Sequence, residues 1–181
     1  MKQTILFILL SAYVANSNAE GTPPYMGQES RDIKSLSPER VAGLQSGKGL
    51  GYAKVAELNG FPGPAHVLEL AYELELTEEQ KIKTQAIFDA MQADAKSLGE
   101  ALIEAERQLD DLFTNGEVSE SVVSAKLAEI GAIEGRLRAV HINAHLKQKL
   151  ILSRHQIHRY NQLRGYSADA SNAGHMHDHH Q

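Results

Sequence analysis

Across residues 76–113 the apolar positions return in steps of three and four: Phe88, Met91, Ala95, Leu98, Leu102, Ala105, Leu109 and Leu112. That period puts them on one side of a helix, as a heptad seam. Between them stand mostly Gln, Asp, Glu, Lys and Ala. No Pro interrupts the run, and its one glycine, Gly99, lies off the seam. Thr77 is placed to cap the start, with Glu78 and Glu79 in the first turn, where the helix dipole favours negative charge. Thr114-Asn115-Gly116 reads as a tight turn. Ser119 then caps a second long helix over about residues 120–150, striped by Val123, Leu127, Ile130, Ile133, Leu137, Val140, Ala144 and Ile151. Two long one-sided helices joined by a short turn predict an antiparallel hairpin. Toward its end the second helix carries another apolar strip, Ala139, Ile142, Leu146 and Leu150, on nearly the opposite side.

The flanking chain is broken into short pieces. Residues 20–34 read as a flexible leader. Ser37 and Pro38 start a short helix that ends at Ser46-Gly47-Lys48-Gly49. This glycine run lacks the spacing of a phosphate loop and reads as a plain turn. A second short helix is expected over residues 52–58, before Asn59-Gly60 and Pro62, and a third over 65–74. Beyond the hairpin, Ser153 caps a last helix that reaches about Leu163 and is closed by Gly165. The expectation is an all-α fold: a signal peptide (1–19), the leader (20–34), one helical domain (35–165) and a disordered His-rich tail (166–181).

Charge agrees with the hairpin. Residues 57–111 hold thirteen acidic and four basic side chains, whereas residues 136–164 hold seven basic and no acidic ones. Antiparallel pairing sets the acidic start of the first long helix beside the basic end of the second. A formal net charge of −5 argues against a nucleic-acid partner. With no Cys, disulfides, thiolate metal sites and cysteine nucleophiles are excluded. Lys2, the apolar run 5–10 and the small residues Ser17-Asn18-Ala19 predict an export signal cut after Ala19. An uncut membrane anchor is the alternative. Export without Cys suits the periplasm of a Gram-negative bacterium, with no membrane span once the signal is removed.

Leu76-Thr77-Glu78-Glu79-Gln80 and Leu152-Ser153-Arg154-His155-Gln156 are two copies of a Leu-Thr/Ser-x-x-Gln motif. With the hairpin between them, they resemble the periplasmic LTXXQ family of Spy- and CpxP-type stress proteins and ZraP- and CnrX-type metal-binding proteins. The likeness covers roughly residues 70–163, and the second copy departs only in Ser for Thr. The resemblance implies an antiparallel dimer shaped like a cradle. It also implies either ATP-independent chaperoning of unfolded envelope proteins or binding of Zn, Cu, Ni or Co, as a sensor or buffer.

Two sets of residues bear on that choice. Ile142, Leu146 and Leu150, with Arg138, Lys147 and Lys149 beside them, form an apolar face bordered by positive charge. It fits a client, a second copy, or the chain's own short helices. His141 and His145, at i and i+4, suit imidazole coordination of Zn, Cu or Ni, with Glu134 and Gln148 along a similar line. His155 and His158 form a weaker pair, and a solvated helix face is the plain alternative for both pairs. His175, His177, His179 and His180, with Met176, make a chelating tail. His66 stands alone and reads as structural. No hydrolase, zinc-protease or dinucleotide signature is present, so no catalytic residue is expected.

Overall fold

A computed structural model describes residues 23–166. The expected signal peptide and, from residue 167 on, the expected tail with His175, His177, His179 and His180 lie outside the described residues. Within them the protein is all-helical, built on two long helices packed together with short helices at their flank. The helices are α1 (Pro38–Gln45), α2 (Lys54–Glu57), α3 (Pro64–Glu69), α4 (Glu78–Thr114), α5 (Glu120–Ile151) and α6 (Arg154–Leu163). None of them is long and apolar enough to cross a membrane.

At 37 residues, α4 is about 55 Å long. Its apolar seam meets the stripe of α5. Ala95, Leu102 and Ala105 are buried against Ile130, Ile133 and Leu137, and the cluster extends to Ile33, Leu36 and Leu44. Gly99 matters on another face of α4. A Cβ there would collide with the Leu44 carbonyl, so its absence lets α1 close on α4.

Several expectations change. The third short helix stops at Glu69, and the chain turns through Glu75, at φ 50°, before α4 begins. The end of the expected flexible leader is docked. Ile33 is buried, Lys34 Nζ is 2.8 Å from Asp110, and Asp32 meets Arg107. Leu127, expected inside, is 51% exposed because the short helices do not reach that far along α5. Among the described residues no ion pair joins α4 to α5, so direct contacts do not carry the charge asymmetry. Register is held by the seam and by a buried bond from Gln148 Nε2 to Thr84 Oγ1, at 3.1 Å. That bond uses the amide nitrogen of Gln148, whose buried Oε1 has no hydrogen-bond partner. Glu134 Oε1 is engaged by Arg40 at 2.8 Å and by the Tyr52 hydroxyl at 3.1 Å.

Candidate functional site

The two motif copies meet. Each is a complete capping box: the Thr77 and Ser153 hydroxyls accept from the Gln80 and Gln156 backbones, and each Gln side chain accepts from its own cap residue's N–H. The two amides also bond each other, Gln80 Nε2 to Gln156 Oε1 at 2.9 Å and Gln156 Nε2 to Gln80 Oε1 at 3.0 Å. The remaining N–H of Gln80 donates to the Ile151 carbonyl, and that of Gln156 to the Leu74 carbonyl. Both amide groups are thereby fully satisfied. Leu76 and Leu152 lie beneath them in a second core with Val67, Leu74 and Tyr160. The motif is therefore an architectural clamp and offers no free donor to a ligand.

Beside the clamp, α5 carries its histidines. His141 is 2% exposed, stacks on Tyr52 with ring centroids 5.8 Å apart, and has a buried Nε2 without a hydrogen-bond partner. Burial, helped by neighbouring His145, pushes its pKa below the ordinary histidine value, so it is neutral at neutral pH. His145 Nδ1 lies 2.7 Å from the Phe61 carbonyl. A carbonyl only accepts, so Nδ1 donates to it, and in the neutral ring the lone pair is on Nε2. His66 is held the same way, with Nδ1 2.8 Å from Glu69. These three histidines border one cavity of about 290 Å³, walled also by the Gly47–Gly49 turn, Pro64, Phe88 and Met91. His66 is thus a cavity residue, which its isolated place in the sequence did not signal. Among the described residues no three His, Asp or Glu side chains are grouped so that they could hold one metal ion. His155 and His158 are exposed on α6, and His158 Nε2 lies 3.1 Å from Gln162.

Below the cavity is a polar cluster that the sequence reading missed. Tyr160 is fully buried and donates to Glu57 Oε1 at 2.5 Å. Arg164 Nε stands 3.6 Å from the same oxygen, and Glu57 Oε2 lies 3.5 Å from His145 Nδ1. Burial first, then the adjoining carboxylate, raises the Tyr160 pKa far above its ordinary value. The cluster ties α2 to α5 and α6.

The second apolar strip of α5 is incompletely covered. Ile142 is half-buried, but Leu146 is 44% and Leu150 87% exposed. Arg138 and Lys147 are exposed along it. Lys149 differs from the expected free rim charge: its ammonium lies 3.6 Å from the centre of the Phe61 ring, a cation–π contact. The helix that could cover this face from within the chain, α2, touches α5 yet leaves the adjoining Val55 and Leu58 exposed.

No protein-family model, curated protein or solved structure matches this chain.

Proposed function

We propose that this is an exported, periplasmic binding protein of the ATP-independent chaperone kind. It would engage unfolded envelope proteins through the Ile142, Leu146 and Leu150 strip with its Arg138 and Lys147 border. The observation that carries the reading is the exposure of Leu146 and Leu150 within a stretch, residues 136–164, that has no acidic side chain. Apolar segments flanked by acidic residues fit such a face. Burial of the leucines supplies the attraction, and opposite charge guides the encounter. The test is aggregation of a denatured acidic client protein. The protein without residues 1–19 should suppress it at up to equimolar ratio, and Leu146→Asp/Leu150→Asp should abolish protection while leaving helicity intact. No protection by the unsubstituted protein would end the reading. If light scattering finds a dimer that the double substitution splits, the face belongs to a second copy, as in the antiparallel dimer that the resemblance implies.

A second reading, binding of a transition metal as a periplasmic buffer or sensor, is favoured by one observation. His66, His141 and His145 share a cavity, and two of them have a fixed tautomer that leaves Nε2 open. The histidines at 175, 177, 179 and 180 would add a separate, outer chelating site.

A further inference from the structure

Resting on the metal-binding reading, we propose that His141, His145 and Met91 form a site for one copper(I) ion in the cavity where α3, α4 and α5 meet. Three observations combine. First, His141 and His145 are one helical turn apart on α5 and both border the cavity, as i and i+4 residues on one helix face. Second, the imidazoles are prepared as ligands. His145 spends its N–H on the Phe61 carbonyl and keeps Nε2 for a ligand, as the outer hydrogen bonds of metal-binding histidines do. His141 is 2% exposed, and its Nε2 is buried with no partner, an unmet polar atom that costs stability unless something satisfies it. Third, the lining holds a soft donor in mostly apolar company: half-buried Met91 with Phe88, Pro64 and Ala65, the other polar members being Ser46, Lys48, His66 and Gln92.

The choice of metal follows from what the wall lacks. Structural zinc takes four ligands, from thiolate, imidazole and carboxylate. Here there is no Cys, and among the described residues no group of three His, Asp or Glu could hold one ion. Nickel and zinc would need ligating waters, which an apolar wall disfavours. Copper(I) is satisfied by fewer and softer donors, and a thioether with imidazoles is its preferred company. Close packing supports a fixed geometry: a Cβ at Gly63 would stand 2.8 Å from His145 Cε1 and 3.0 Å from its Nε2, so that ring cannot swing toward α3.

The test separates this site from the tail. The full exported chain, with His175, His177, His179 and His180 changed to Ala, is titrated anaerobically with copper(I) against a chromophoric chelator. X-ray absorption is measured on the loaded protein. We expect one copper(I) per chain with a sulfur scatterer beside nitrogen. Met91→Leu, close in shape, should erase the sulfur signal and weaken binding about tenfold. His145→Ala should weaken it roughly a hundredfold, and His141→Ala likewise, with helicity checked in each. Retention of copper by His141→Ala/His145→Ala, or a loaded site with nitrogen and oxygen scatterers alone, overturns the assignment. Copper bound by the unsubstituted chain but lost on changing the tail histidines also overturns it, and leaves metal binding to the tail. If the unsubstituted chain binds neither copper, zinc nor nickel, the metal-binding reading fails with it.

Discussion

The two ends of the hairpin are built from the same kind of apolar stripe and differ in everything around it. At the base, where α4 begins and α6 packs, polar groups are paired with one another: Gln80 with Gln156, Thr84 with Gln148, Tyr160 with Glu57. At the tip, among the described residues, two helices meet through a turn with no further helix over them. Phe113 is 60% exposed, Val118 and Val122 also face solvent, and Lys126 reaches Gln108 and Glu129 on the surface. Helical periodicity therefore states which side a residue faces, while the layers beyond the hairpin decide how deeply it is buried. Directed, largely buried polar bonds specify the base, whereas the polar contacts near the tip, Lys126 with Gln108 and Lys34 with Asp110, lie at the surface beside the seam.

The sharpest way to break this contrast is Tyr160→Ala. It removes a fully buried ring from the base core and strips Glu57 of its donor, so unfolding should cost about 3–5 kcal/mol less, read by urea denaturation. Next comes the clamp. Gln156→Ala leaves the Leu74 carbonyl and both polar ends of the Gln80 amide short of partners, and should destabilise by about 2 kcal/mol. Adding Gln80→Ala should cost less than the two single changes together, because each amide is the other's partner. Strict additivity in that cycle would mean the amides are not coupled. Smaller still at neutral pH, but visible in alkali, is the Tyr160 hydroxyl. Its pKa is raised in the folded protein, so folding is undisturbed below about pH 10 and weakens as pH climbs past the unfolded tyrosine value. In an ultraviolet titration one tyrosine should ionise only as the helices melt, and Tyr160→Phe should remove that step. Least of all, Phe113→Ser and Leu127→Ser at the tip should each change stability by about 0.5 kcal/mol or less. A large loss there would show that the tip is covered by something in solution.

The hairpin was legible because its information is local. Seam spacing, the caps Thr77, Ser119 and Ser153, and the Asn115-Gly116 turn each report their own helix. The two motifs were legible as caps, but nothing in either copy announces that their glutamines bond across 76 positions. Gly99 looked like a gap in a good helix; its purpose depends on the Leu44 carbonyl arriving from α1. Glu57, on a four-residue helix, carries no periodicity that could mark it as buried. His66 looked solitary because the two histidines that share its cavity lie 75 and 79 positions away. Each of these features arises where distant segments meet, and such meetings have no period to read.

The amide pair also has a mechanical meaning. The chain reaches the base through α3, runs out and back along the hairpin, and leaves through α6, so Gln80 and Gln156 fasten the neck of a closed loop. Tension applied between α3 and α6 loads that neck directly. While it holds, the hairpin bears little of the force. When it parts, the 76 positions between the glutamines can extend by as much as roughly 250 Å. Opening of that neck is resisted by the amide bonds together with the core of Leu76, Leu152 and Tyr160 beneath them.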